Sequence, residues 1–100
     1  MDTVREEISS EKLRKVAEIF DGLAHPARLR VLELLEEGVP KTVGEILDGV
    51  QIEPTLLSHH LKKMKHIGIV DSEKRGRHIY YWLVIKEISK VFDCIYGCKI

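Results

Sequence analysis

Residues 52–70 have the sequence Ile52-Glu53-Pro54-Thr55-Leu56-Leu57-Ser58-His59-His60-Leu61-Lys62-Lys63-Met64-Lys65-His66-Ile67-Gly68-Ile69-Val70. This stretch predicts one helix with two unlike faces. Pro54 suits the first helical position, where its missing N–H costs nothing, and Gly68 suits the C-terminal cap. Leu57, Leu61 and Met64 recur at i, i+4 and i+7, which predicts an apolar stripe that packs on a core.

The opposite face of this predicted helix is polar and basic. At about 100° per residue it collects Thr55, Ser58, His59, Lys62 and His66, with Lys63 beside them. It offers hydrogen-bond donors and cationic groups and contains no carboxylate. Such a face suits the DNA major groove, where side chains reach base edges and phosphates. Taken alone, a lysine-rich helix face of this kind is most often simply a solvated surface.

The charge distribution favours nucleic acid although the net charge is zero. Residues 1–52 carry 7 Lys/Arg against 11 Asp/Glu, whereas residues 53–82 carry 6 against 3 and hold four of the five histidines. The remaining residues, 83–100, carry 3 against 2. A basic surface on an otherwise acidic body can still attract a polyanion.

Length and composition predict a single domain spanning residues 1–100. The chain is 44% apolar and 32% charged, as expected for a globular protein. No apolar run approaches the roughly 18 residues of a membrane helix, and no signal-peptide pattern follows Met1. We therefore expect a cytoplasmic protein with no membrane partner.

Three helices are predicted before residue 52. Ser9 or Ser10 caps the first, whose apolar stripe comprises Leu13, Val16, Ala17 and Phe20; a capping box at Thr3-x-x-Glu6 allows an earlier start. A second helix runs from Pro26 to Glu37 and is stopped by Gly38. A capping box at Thr42-x-x-Glu45 opens a third, short helix, which Gly49 is expected to end.

The segment after Gly68 changes to a strand pattern. Residues 69–72 and 78–84 predict two strands, and residues 73–77 predict a turn with Gly76 at its tip. Three cations lie there, Lys74, Arg75 and Arg77, in reach of phosphates or a minor groove. Charge at a hairpin tip can also serve solubility alone. A short helix, a tight turn, a basic helix and a hairpin together predict a winged helix-turn-helix, mainly α with a two-stranded wing and about five helices.

A final helix is predicted over residues 86–96, extending as a dimerisation segment to residue 98. Its apolar side is large for a helix at a chain end and comprises Ile88, Val91, Phe92 and Ile95. With Leu13 and Phe20 of the first helix, it predicts an exposed apolar patch, which we interpret as a homodimer surface. The alternative is that this side only closes the core of the single chain.

Four segments together resemble the ArsR/SmtB family of winged-helix repressors: Ala24-His25-Pro26-Ala27-Arg28-Leu29-Arg30-Val31-Leu32, Leu57-Ser58-His59-His60-Leu61-Lys62, Ile67-Gly68-Ile69-Val70 and Arg75-Gly76-Arg77-His78-Ile79-Tyr80-Tyr81. The resemblance covers roughly residues 17–84. It implies a homodimer joined by the first and last helices, a near-palindromic operator with one presented helix per half-site, and release from DNA by an inducer.

The inducer sites that this resemblance implies are absent. Thr42 and Gly44 occupy the positions of the family's Cys-x-Cys metal site, and no histidine follows His78 to form the site on the last helix. Glu53 also stands where a Ser, Thr or Asp would cap the presented helix better. We therefore predict no confident metal ligands and no cofactor.

Cys94 and Cys98 are the only thiols of the chain. Their spacing places them on one helical face, where they could hold a soft ion. Three interpretations stay open: packing residues, since free cysteines are often buried; a sensor of thiophilic metalloid or redox state; or disulfides, within a chain or across a dimer.

The sequence favours a DNA-binding transcriptional repressor that acts on double-stranded DNA. The first alternative is a winged-helix module that docks a protein through the same surface. Enzymatic activity is not expected, because Ser58 and His59 are consecutive on a helix and point about 100° apart. No phosphate-binding loop or zinc-protease motif is present.

Overall fold

The computed structural model describes residues 7–100, which form five helices and three strands. The elements are α1 (Ser10–Leu23), α2 (Pro26–Leu35), β1 (Lys41–Thr42), α3 (Val43–Val50), α4 (Pro54–Ile67), β2 (Val70–Arg75), β3 (His78–Leu83) and α5 (Ile88–Tyr96). None of these helices is both long and apolar enough to cross a membrane.

Side-chain caps begin the first two helices. Ser9 Oγ accepts a hydrogen bond from the Lys12 backbone N–H at 3.1 Å, which confirms Ser9 as the cap of α1. His25 Nδ1 accepts from the Ala27 N–H at 3.1 Å, and Pro26 occupies the first position of α2. The capping box predicted at residues 3–6 lies outside the described residues.

The predicted capping box of α3 is confirmed, but its predicted end is wrong. The Thr42 hydroxyl accepts from the Glu45 N–H, and the Glu45 carboxylate accepts from the Thr42 N–H. The Thr42 N–H first, and the neighbouring Thr42 hydroxyl second, hold the pKa of the Glu45 carboxyl below its ordinary value. The helix continues through Gly49 to Val50 and is capped by Gln51 in the left-handed conformation, with φ +58°.

Gly49 serves close packing rather than helix termination. A Cβ built on it would lie 2.6 Å from Leu34 Cδ1 on α2. That distance is shorter than any ordinary contact, so the absence of a side chain at Gly49 lets α3 pack against α2.

The sheet has three antiparallel strands instead of the predicted two. Its order is β1-β3-β2, with Thr42 paired to Tyr80 and Lys41 to Tyr81. The added strand is only two residues long, and Thr42 also caps α3. No alternation of apolar and polar residues can develop over two residues, so the sequence pattern did not indicate this strand.

The hairpin turn is tighter than predicted. β2 extends to Arg75 and pairs with His78, which leaves a two-residue turn at Gly76 and Arg77. Gly76 has φ +64°, a conformation that glycine adopts without a steric penalty. The predicted turn residues 73–75 therefore belong to the strand.

The core lies where α2, α3 and α4 meet one face of the sheet. Its fully buried side chains are Val31, Leu32, Leu35, Ile46, Leu57, Leu61, Met64, Ile69 and Val70. Leu57, Leu61 and Met64 were predicted as the buried stripe of α4, and all three are buried. α5 begins at Ile88 rather than at residue 86, and its Ile88 and Phe92 side chains join the same core.

Candidate nucleic-acid interface

α4 has the ends that its sequence predicted. Pro54 is its first residue, and the Glu53 carboxylate accepts from the Thr55 N–H at 3.3 Å. Glu53 thus acts as the cap although shorter side chains are preferred there. Gly68 ends the helix with φ +97°, and its N–H donates to the carbonyls of Met64 and Lys65. These contacts fix both ends of the helix.

The polar face of α4 is turned away from the core. Its predicted members are exposed or half-buried: Thr55, Ser58, His59, Lys62 and His66. The acidic Glu53 lies at the first turn, at the edge of this face. The face therefore presents hydroxyl, imidazole and ammonium groups along one side of a capped, rigid helix.

Lys63 lies to one side of this face and contacts α1. Its Nζ is 3.8 Å from Asp21 Oδ2, and both side chains are partly exposed. An exposed ion pair of this kind contributes at most about 1 kcal/mol. Lys63 therefore remains available to a phosphate, but its ammonium points toward α1 rather than along the line of Ser58 and Lys62.

The hairpin places its three predicted cations in three different settings. Successive residues of a strand point to opposite faces, so Lys74 and Arg75 diverge. Arg75 Nε donates to Glu73 Oε2 at 2.9 Å, and its guanidinium lies 5.2 Å from the Tyr80 ring centroid. Arg77 lies in the exposed turn. The cations are spread along the wing, and Arg75 is the one already held by neighbouring side chains.

A cluster that the sequence interpretation missed lies behind α4. His60 is only 3% exposed, and its Nδ1 accepts a hydrogen bond from Arg28 Nε at 3.0 Å. The His25 and His60 ring centroids are 4.5 Å apart. A signal was available, because His60 follows Leu57 by three residues and precedes Met64 by four, which is the spacing of the buried stripe.

This histidine pair does not fit a metal site. Nδ1 of His25 and Nδ1 of His60 each accept a hydrogen bond from an N–H group. A neutral imidazole that accepts at Nδ1 carries its proton at Nε2, so neither ring offers a free lone pair there. Among residues 7–100, no three His, Cys, Asp or Glu side chains lie together as a potential ligand set.

The residues predicted for dimer contact divide into two groups. Leu13 is 51% exposed, Phe20 59%, Ile95 45% and Val91 37%. These four remain uncovered on α1 and α5. Ile88 and Phe92 are instead 4% and 5% exposed, because they fill the core of their own chain. An interface on these helices would therefore be formed by the four exposed side chains. Ile88 and Phe92 would contribute only by packing beneath them in the core of each chain.

Cys94 and Cys98 are both free and exposed. Cys94 lies within α5, whereas Cys98 follows the end of the helix and its N–H donates to the Ile95 carbonyl at 3.0 Å. Neither side chain packs in the core. Of the three interpretations, burial as simple packing residues is therefore the one that does not apply to the single chain.

Comparison with known proteins agrees with the architecture. A family model described as a helix-turn-helix domain matches residues 23–73. An HTH-type transcriptional regulator of Methanocaldococcus jannaschii is 40% identical over 83% of this chain and 97% of its own length. The HTH-type transcriptional repressor SmtB of Mycobacterium tuberculosis is 31% identical over 81% of this chain and 59% of its own length.

A solved structure gives the same result in three dimensions. The homodimeric winged helix-turn-helix DNA-binding domain of a possible ArsR-family regulator from Mycobacterium bovis matches with a TM-score of 0.73. It is 26% identical, and the match covers 92% of this chain and 87% of that one. Fold and site together define a winged helix-turn-helix protein. The chain belongs to the ArsR/SmtB family of transcriptional regulators.

Proposed function

We propose that this protein is a sequence-specific DNA-binding repressor that acts as a homodimer on a palindromic operator. The observation that carries the proposal is the exposed polar face of α4. The helix is capped at both ends, and its opposite face packs into the core. Membership of a family of transcriptional regulators supports it. Such a regulator would act in the cytoplasm, which is consistent with a transcription factor of this family.

In this proposal α4 enters the major groove. With the helix lying in the groove between the two phosphate backbones, base edges are within reach of the short side chains of Thr55, Ser58 and His59. Lys62 and Lys63 supply phosphate contacts, which position the helix without reading sequence. The wing adds Lys74, Arg75 and Arg77 on the neighbouring backbone or minor groove.

Homodimer formation is supported by the apolar side chains that α1 and α5 leave uncovered, Leu13, Phe20, Val91 and Ile95. Burying them in a second copy would remove apolar surface from water. A two-fold dimer would present two copies of α4, which explains why a palindromic operator with half-sites about one helical turn apart is expected. The M. bovis relative is described as a homodimer.

Two other functions receive less support. A protein-docking module would use the same polar surface, but the basic character of α4 and of the wing tip favours a polyanion. Catalysis would need groups that act together. Ser58 and His59 are neighbours on a helix and diverge, whereas His60 is buried behind the exposed face.

Regulation through thiols is the inducer mode that the chain's own chemistry allows. Cys94 and Cys98 are exposed near the end of α5, the helix proposed to join the two subunits. Thiolates of two chains could bind a trivalent metalloid, or a two-electron oxidant such as a peroxide could convert them to an intersubunit disulfide while it is itself reduced. Either event would favour one dimer geometry and thereby change the spacing of the two α4 helices.

Footprinting of the purified protein on the DNA upstream of its own gene tests the proposal. We expect protection of one inverted repeat at low salt, with two half-sites centred about one helical turn apart. No protection on this or any genomic fragment at low salt would favour the protein-docking module instead.

A further inference from the structure

We infer that Arg28 and His60 are a positioning pair that fixes the orientation of α4 against the C-terminal end of α1. This role rests on the proposed DNA-binding function, because α4 is the helix proposed to enter the groove. Neither residue lies on the exposed face of α4, so neither is assigned a contact with DNA.

One guanidinium joins three helices at this junction. From α2, Arg28 Nε donates to His60 Nδ1 on α4 at 3.0 Å. Its Nη1 donates to the backbone carbonyls of Asp21 and Gly22 at the end of α1, at 3.3 and 3.2 Å. The planar, rigid fork of an arginine fixes these directions relative to one another. A lysine has no equivalent of Nε and cannot reproduce the arrangement.

The backbone of α1 approaches α4 closely at the same place. A Cβ built on Gly22 would lie 2.8 Å from Ile69 Cδ1 and 2.9 Å from Ile67 Cδ1. Gly22 is itself buried. The end of α1 therefore rests directly on the C-terminal end of α4. A shift of α1, the helix proposed to join the subunits, would be transmitted to α4 through this contact and through Arg28.

The hydrogen bond requires a neutral His60. Nδ1 accepts from a guanidinium that is always charged, so the ring proton must be on Nε2. His60 Nε2 is buried and has no partner among the described residues. Protonation of Nδ1 would set two N–H donors and two positive charges against each other. The Arg28–His60 bond is thus incompatible with an imidazolium.

The charged surroundings of His60 reinforce this requirement on every side. His25 and Arg28 face it from α2, and His59 and Lys63 lie beside it on α4. Burial first, and these neighbouring imidazole and cationic groups second, lower the pKa of His60 below its ordinary 6.5. The Asp21 carboxylate at the end of α1 lies instead 3.8 Å from Lys63 Nζ.

The sign of the resulting pH dependence follows from the lowered pKa. A released His60 binds a proton near pH 6.5, whereas a held His60 does so only at lower pH. Between these two pKa values the released state binds more protons than the held state, so the junction weakens as pH falls. The equilibrium constant between held and released His60 falls by up to about tenfold per pH unit. Well above pH 6.5 the junction keeps all of the stability that depends on this proton.

Conservative variants separate orientation from charge and from folding. Arg28→Lys keeps the charge but loses the fork. Arg30→Lys is the matched control on the exposed side of the same helix, where Arg30 pairs with Glu33. His60→Gln keeps an acceptor and cannot be protonated. Operator affinity is measured by fluorescence anisotropy at pH 7.5, at a temperature where circular dichroism shows every variant folded.

We expect Arg28→Lys to bind operator about tenfold more weakly, the scale of losing a charge-assisted hydrogen bond, and Arg30→Lys to bind within about twofold of wild type.

His60→Gln should bind nearly as wild type at pH 7.5. From pH 7.5 to 5.5 the affinity of wild type relative to His60→Gln should fall, by at most about tenfold. The two proteins differ only at residue 60, so contributions from the rest of the chain cancel in this ratio. A constant ratio, or equal affinities for Arg28→Lys and Arg30→Lys, would overturn the inference.

A measurement without DNA distinguishes failure of this inference from failure of the proposed function. In ¹⁵N-edited NMR of wild type, the His60 ring should show a proton at Nε2 and none at Nδ1 at pH 7.5. As His60 titrates, amide shifts at the end of α1 and in α4 should change together, and they should not do so in His60→Gln. If wild type binds no DNA but these shifts move together, the junction stands and only the proposed function fails. If the shifts of α1 and α4 are independent of His60, the positioning pair is refuted.

Discussion

Lys65 Nζ at the end of α4 lies 2.8 Å from Ser72 Oγ on β2, so the helix proposed to enter DNA is bonded to the wing. The Asp71 carboxylate lies 3.9 Å from the same ammonium. These contacts are exposed and individually weak, and they connect two surfaces that would touch DNA in different places.

The exposed turn of the wing should contribute through charge. We predict that Arg77→Ala lowers operator affinity severalfold at low salt and reduces the slope of log affinity against log salt by about one. Arg75→Ala should cost less, because Arg75 is already held by Glu73 and Tyr80. Arg77→Lys is the control that keeps the charge. Unchanged affinity and salt slope for Arg77→Ala would mean that the wing is ordinary solvated surface.

The uncovered apolar side chains of α1 and α5 should form the dimer interface. Ile95→Asp should convert the dimer into a folded monomer, because a charge would have to be buried without a partner. Ile95 is a better choice than Phe92. Phe92 is buried in its own chain, so Phe92→Asp would unfold the monomer as well. Val84→Asp, at another exposed apolar residue outside α1 and α5, is the control and should stay dimeric. Sedimentation equilibrium gives the answer, and an unperturbed Ile95→Asp dimer would place the interface elsewhere.

The two thiols should respond to soft ligands if they serve as a sensor. Titrating the protein–operator complex with arsenite, and separately with a mild oxidant, should release DNA from wild type at a lower agent concentration than from the Cys94→Ser, Cys98→Ser double variant. The reason is that only wild type can bind the ligand or form the disulfide in the subunit contact. Release at the same concentration from both proteins would contradict a sensing role.

Residues 49–51 offer a test of the fold itself. Gly49→Ala should not gain the roughly 1 kcal/mol that alanine usually gains over glycine inside a helix, because its methyl group would force the Leu34 side chain to move. Gln51→Gly should be neutral or stabilising by up to about 1 kcal/mol, because Gln51 adopts the left-handed conformation with φ +58°. Urea unfolding of both variants provides the measurement. If Gly49→Ala were more stable than wild type by the full roughly 1 kcal/mol, the close α2–α3 contact would not exist as described.

The sequence predicted most of the fold because its signals were long and periodic. The ends of α4, the cap at Ser9 and the capping box at Thr42 all follow from local chemistry that needs no knowledge of the neighbours. β1 and the role of Gly49 could not be predicted, since each depends on a partner distant in sequence, Tyr80 in one case and Leu34 in the other.

The exposed residues of the candidate site could be predicted from the sequence, whereas the buried contact between Arg28 and His60 could not. Helical spacing grouped Thr55, Ser58, His59 and Lys62, and all four are at least partly exposed. The Arg28–His60 bond spans 32 positions in the sequence. Helical spacing could have indicated that His60 is buried, but it could not supply Arg28 as its partner.

The most direct test of the central claim is a competition between operator and shuffled DNA of the same composition, measured for wild type, Ser58→Ala, His59→Ala and Lys62→Ala. Wild type should prefer the operator by at least about a thousandfold. Ser58→Ala and His59→Ala should each reduce that preference by roughly 1–3 kcal/mol, because each removes a side chain that reads a base, whereas Lys62→Ala should weaken both DNAs alike. Equal affinity of wild type for operator and shuffled DNA, or equal losses on both for Ser58→Ala and His59→Ala, would contradict the claim that this face of α4 reads sequence.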